Sequence, residues 1–136
     1  GLKLHLLVTA QAEPVEFFLT PGSWADVTGL DCFDFDLPAG SQIIGDKAYD
    51  SDALDEAMVE KGVEMIAPHR SNRKPENITQ DGRPLRRYGR RWTVERTIGW
   101  FQNFRRLCIR WEKSTKLFQG FLHLGCTLLL LKEVLG

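Results

Sequence analysis

Residues 41–68 read SQIIGDKAYDSDALDEAMVEKGVEMIAP, and this stretch decides the fold class. It opens on the short apolar run SQIIG at 41–45, which reads as a strand and ends on Asp46. Asp50 and Ser51 then offer helix N-caps, and Asp52, Asp55 and Glu56 suit the positive first turn of a helix. Ala53, Leu54, Ala57, Met58 and Lys61 continue that helix until Gly62 ends it. Residues 63–68 form another strand pattern. Parallel neighbours need a long crossover where antiparallel ones need only a turn, so strand, helix and strand at this spacing make a parallel βαβ unit. The expected class is α/β.

Working outward toward residue 1, positions 2–9 alternate leucines with Lys3 and His5 and read as a strand. The QAEP at 11–14 is turn-like, VEFFLT at 15–20 is a second strand, and PGS at 21–23 breaks it, so the two make a hairpin. Residues 23–37 are ambiguous and admit a short helix at 25–33. Toward the other end, 69–84 is a polar loop with Pro75, Gly82 and Pro84. A helix is expected to begin within 88–91 and to reach about residue 110, its core face formed by Val94, Ile98, Phe101, Phe104, Cys108 and Trp111. The apolar segment 117–135 has only 15 charge-free residues between Lys116 and Lys132, so a buried C-terminal helix is expected rather than a membrane span. The reading is a mixed sheet flanked by helices: a strand and helix core at 1–69, an Arg-rich loop and Glu-bearing helix at 70–111, and an apolar helix at 115–135.

A chain of 136 residues fits one domain, and 43% hydrophobic with 26% charged residues excludes wholesale disorder. Cys32, Cys108 and Cys126 are odd in number and form no CxxC pair, which argues against a disulfide scaffold or a cysteine-rich zinc site and for reduced thiols in the cytosol. The first residues run straight into a strand pattern, with no signal-peptide character. The 18 basic and 18 acidic residues cancel, yet they are segregated. Residues 1–69 hold three basic and thirteen acidic residues, whereas residues 70–110 hold twelve basic and three acidic ones. That second segment is nearly all arginine, which suits bidentate contact with phosphate.

Glu95 is the only acid between Gly82 and Trp111, among nine arginines. On a continuous helix, Tyr88, Arg91, Glu95 and Gln102 fall within about 60° of one another, a polar stripe beside the apolar one. An ordinary surface ion pair with Arg91 or Arg96 is the competing explanation for Glu95. Asp46 closes a strand and precedes a helix, where α/β sheets hold ligands, although a loop Asp can also merely turn the chain. Two such acids can hold Mg²⁺, a hard cation that takes one or two carboxylates together with substrate phosphate. The arginines would position a nucleic-acid backbone without reading its bases. His5, His69 and His123 have no ligand spacing and read as structural, no glycine-rich phosphate loop or GxSxG elbow occurs, and Trp92, Trp100 and Trp111 read as packing residues.

Five phrases together resemble bacterial insertion-sequence transposases of the DDE type, which have an RNase H-like fold. They are GLKLHL at 1–6, FFLTPG at 17–22, IIGDKAYD at 43–50, YGRRWTVER at 88–96 and GWFQNFRRL at 99–107. The resemblance covers nearly the whole chain and implies that Asp46 is the second catalytic Asp and Glu95 the catalytic Glu, both ligands of Mg²⁺ or Mn²⁺. The family's signature is Tyr, Arg three on, Glu four further and Lys seven further. Tyr88, Arg91 and Glu95 match it, and Gln102 stands where the Lys would touch DNA. The first catalytic Asp has no counterpart here, so the resemblance implies the C-terminal part of a catalytic domain lacking its first strand and inactive alone.

It further implies binding of double-stranded DNA, both transposon ends and target, through Tyr88, Arg90, Arg91, Gln102, Arg105 and Arg106. A homodimer of the full-length enzyme and a cytoplasmic, nucleoid-associated setting in bacteria are implied as well. Two other readings stand beside the enzyme: a non-catalytic DNA-binding or interaction remnant using the Arg-rich segment alone, and a dimerisation module built on residues 117–135.

Overall fold

The parallel βαβ unit expected at residues 41–68 is present in the computed structural model, which describes residues 1–30, 32–34, 36–78, 90 and 92–136. These group into two units, Trp24–Arg91 and Gly1–Ser23 with Trp92–Gly136. The first unit holds strand β3 (Ser41–Ile44), helix α2 (Asp52–Glu60) and strand β4 (Val63–Ile66), with helix α1 (Asp26–Leu30) before them. The strands pair in parallel, Ser41 opposite Val63 and Ile44 opposite Ile66. Helix α2 starts where its sequence directs: the Leu54 amide donates to Ser51 Oγ at 3.4 Å, and Asp52 and Asp55 occupy the first turn. It ends at Gly62, whose φ of +73° is left-handed backbone that glycine alone takes without strain. Leu54 and Met58 face inward with Ile43, Val63, Ile66 and Ala67 to form the core.

The second unit begins with the hairpin. Strand β1 (Leu2–Val8) runs antiparallel to strand β2 (Pro14–Pro21), His5 opposite Phe18. His5 is buried and needs no ligand role, since its Nε2 lies 2.9 Å from Thr20 Oγ1 and its ring stacks on Phe18 at 4.7 Å. In the connecting turn Ala12 is fully buried with φ +71°, and the Ala12 amide donates to the Thr9 carbonyl at 3.0 Å. Antiparallel and parallel pairing thus both occur among the described residues, each in a two-stranded sheet within its own unit.

Two helical expectations need correction. The helix expected to reach residue 110 is α3 (Trp92–Phe101) followed by a separate short helix α4 (Arg105–Cys108). The amides of Asn103 and Phe104 reach back only three residues, to Trp100 and Phe101, and Phe104 is extended with φ −91° and ψ +109°, so the α-helical ladder closes before α4 restarts. The buried face of α3 is Thr93, Thr97 and Phe101, whereas Ile98 is 39% exposed and Trp111 60%. Its reason is polar. Thr97 Oγ1 donates to the Ala12 carbonyl at 2.6 Å, an acceptor in the hairpin turn that an apolar side chain would leave unpaired.

Helix α5 (Thr115–Leu135) was expected to be buried and is not. Leu122 and Gly125 are its buried residues, with Gly125 against Leu107 and His123 tilted on Phe17 at 4.5 Å. Leu117, Leu124, Leu128 and Leu131 are exposed, because the hairpin and α4 cover one side of a helix that is apolar nearly all round. By length and composition α5 could also cross a membrane. All three cysteines are free thiols.

Candidate functional site

Asp46 stands just past the C-terminal end of β3, on an exposed turn whose direction is set by the residues around it. The Gly45 amide donates to the Ile66 carbonyl at 3.0 Å, so the parallel pairing continues to the residue before Asp46. Gly45 is buried, and a Cβ there would run into Met65 Cε and come within 2.8 Å of Tyr49 Cδ2. A side chain at 45 would make Met65 or Tyr49 give way. Asp46 then caps the 3-10 turn Lys47–Tyr49, accepting the Ala48 amide on Oδ1 at 2.8 Å. Tyr49 is pushed up to about 12 by burial, with Asp26 and Asp46 adding like charge against the phenolate.

Behind the turn lies a polar cluster that the sequence reading missed. Asp50 Oδ2 accepts the Arg70 amide at 2.7 Å, and Asp50 Oδ1 meets His69 Nδ1 at 2.8 Å and is paired with Arg73. Arg73 also pairs with Asp52. Burial pushes the Asp50 carboxyl up, but the Arg70 amide, His69 and the Arg73 guanidinium outweigh it and hold the group below its ordinary value. Arg70 turns its side chain to the Asp46 turn, donating from Nε to the Lys47 carbonyl at 3.1 Å and from Nη2 to the Ala48 carbonyl at 2.9 Å. The signal was available: parallel strands send both following segments off the same edge, so residues 46–52 and 67–73 had to meet.

Glu95 lies in the first turn of α3, exposed, on the helix whose other face carries Thr93 and Thr97. The neighbouring Arg96 guanidinium sits 4.1 Å from the centre of the Trp92 ring, a cation–π contact. Gln102 is exposed in the turn between α3 and α4 rather than on the helical stripe with Glu95, and Tyr88 and Arg91 lie outside the described residues. Arg90 and Arg105 are exposed. Arg106 is paired with Glu112 and lies over Phe121 at 5.3 Å, and this partner holds the Glu112 carboxyl below its ordinary value. Asp46 and Glu95 therefore stand in different units, each exposed and each offering the hard oxygen donors that Mg²⁺ or Mn²⁺ takes. Among the described residues, no group of three or more His, Cys, Asp or Glu is gathered to hold a metal ion.

The sequence matches the family described as Transposase DDE domain over residues 1–131. A Burkholderia cepacia protein, named as a transposase for insertion sequence element IS402, is 32% identical over 140 residues, covering 95% of this chain and 62% of that protein. A Brucella ovis protein, named as a transposase for insertion sequence element IS6501, is 29% identical over 130 residues, covering 96% of this chain and 98% of that protein. No solved structure matches significantly. The chain thus spans less than two thirds of the first relative and nearly all of the second. With strand-end Asp46, helix-borne Glu95 and a match running over almost its whole length, the chain belongs to the Transposase DDE domain family.

Proposed function

We propose that this chain is the C-terminal part of an RNase H-like transposase catalytic domain, and that Asp46 and Glu95 are its carboxylates for metal-dependent DNA cleavage and strand transfer. The observation that carries the reading is the family match over residues 1–131, and the exposed place of Asp46 beyond a parallel strand supports it. Mg²⁺ or Mn²⁺ held by these acids would stabilise charge on the attacking and leaving oxygens of a phosphodiester. The chain's own contribution is to present the two carboxylates and to grip the DNA backbone through Tyr88, Arg90, Arg91, Gln102, Arg105 and Arg106. Arg106 can do so once DNA competes with Glu112. Its division is a core at 1–69, the Arg-rich segment and Glu-bearing helix at 70–111, and an apolar helix at 115–135. The full-length enzyme acts as a homodimer on transposon ends and target DNA in the bacterial cytoplasm, at the nucleoid. This reading assigns no residue of the chain to the first catalytic Asp, and on it the chain alone is inactive or nearly so.

Duplex binding measured across a salt series, with and without Mn²⁺, tests this. Each neutralised phosphate contributes about 0.9 to the logarithmic salt slope. Binding should strengthen with Mn²⁺ and lose that gain in Asp46→Ala and Glu95→Gln. Metal-independent binding unchanged in both variants would favour a non-catalytic DNA-binding remnant, and strand cleavage surviving Asp46→Ala would remove Asp46 from the site.

A further inference from the structure

We propose that Arg70 is the positioning residue of the Asp46 turn, gripping its backbone so that the carboxylate is held in the direction in which it acts. The proposal rests on the reading of Asp46 as a metal ligand. The turn Lys47–Tyr49 is one short 3-10 segment, closed by Tyr49 N–H to the Asp46 carbonyl at 3.1 Å and Asp50 N–H to the Lys47 carbonyl at 3.3 Å. Such a segment has little stability of its own. Arg70 adds two bonds, Nε to the Lys47 carbonyl at 3.1 Å and Nη2 to the Ala48 carbonyl at 2.9 Å.

The first of these bonds bears directly on Asp46. The Lys47 carbonyl and the Ala48 N–H belong to one planar peptide group, so fixing the oxygen fixes the N–H on its opposite side. That N–H is the donor that holds Asp46 Oδ1 at 2.8 Å. Arg70 thereby acts on the carboxylate through a single rigid plane. Its own place is fixed in turn, because its amide donates to Asp50 Oδ2 at 2.7 Å and Asp50 is held by His69 and Arg73. Bridging two carbonyls needs the planar fork of a guanidinium; a lysine ammonium reaches as a point charge. Arg70 is therefore turned toward the protein's own backbone rather than counted among the arginines offered to DNA phosphate.

The experiment uses the full chain, labelled with ¹⁵N, as wild type, Arg70→Ala, Arg70→Lys and Asp46→Asn. Two quantities are read: amide hydrogen exchange, and broadening of amide signals at 46–49 by manganese(II) chloride. Arg70→Ala should speed exchange at Ala48 and Tyr49 by about tenfold or more, leave the β3–β4 ladder and α2 unchanged, and weaken the Mn²⁺ broadening. Arg70→Lys should fall between. Unchanged exchange in Arg70→Ala overturns the positioning role, and so does a loss of protection spread through α2 and β4, which would mean a general structural part. Should Arg70→Ala fail to fold, the lysine variant is read alone, and wild-type exchange in it overturns the proposal. Asp46→Asn separates the two ideas: broadening that is absent in wild type, or survives Asp46→Asn, removes Asp46 as a ligand while the exchange data still judge Arg70.

Discussion

Replacing Thr97 by valine exchanges a hydroxyl for a methyl at a fully buried position and leaves the side-chain volume nearly unchanged. What is lost is the 2.6 Å hydrogen bond to the Ala12 carbonyl. A typical bond of this kind contributes about 0.5–1.5 kcal/mol net, and a buried acceptor left without its donor costs about 1–3 kcal/mol. The extra methyl returns roughly 0.8 kcal/mol of burial. Set against the cost of the unpaired acceptor, this leaves an expected loss of about 0.2–2 kcal/mol, which for a chain of this size lowers Tm by about 1–8 °C. Thr97→Ser is the control, since it keeps the hydroxyl and gives up one methyl, about 1 kcal/mol. Urea unfolding followed by circular dichroism measures both, and an unchanged m shows that stability rather than compactness moved. A valine variant as stable as wild type would refute the polar account of α3 docking. The matter reaches the proposed site because α3 carries Glu95: a helix held less firmly at the hairpin turn holds that carboxylate less firmly too.

Two further expectations concern the Asp46 side of the molecule. Gly45→Ala forces Met65 or Tyr49 to move and should cost about 1–3 kcal/mol, with an altered near-ultraviolet signal from Tyr49; a gain in stability would show that the turn is not packed as described. The depressed Asp50 carboxyl gives a pH dependence whose sign is definite. Because the folded group titrates below its unfolded value of about 3.9, its stabilisation is whole above that pH and fades as pH falls through the folded value. Asp50→Asn should lower stability at neutral pH and flatten the acid limb of a stability–pH curve, and an acid limb as steep as in wild type would show that Asp50 does not contribute it.

The βαβ unit was legible because its determinants are local: Ser51 as cap, Asp52 and Asp55 in the first turn, Gly62 at the stop, and apolar runs of strand length on either side. The segregation of acids from arginines, and the phrases around Asp46 and Glu95, were legible for the same reason, and with them the family. Nothing local, however, says which side of α3 is covered. Val94, Ile98 and Phe101 have the better apolar spacing, yet Thr93 and Thr97 are buried because a carbonyl 85 residues away in sequence needs a donor. Likewise an apolar composition announces α5 as a helix and is silent about how much of it has a neighbour. The partners of Asp50 and the inward turn of Arg70 exist only once β3 and β4 lie side by side, for a side chain's role is set by what it meets, and that is decided by the pairing of distant strands.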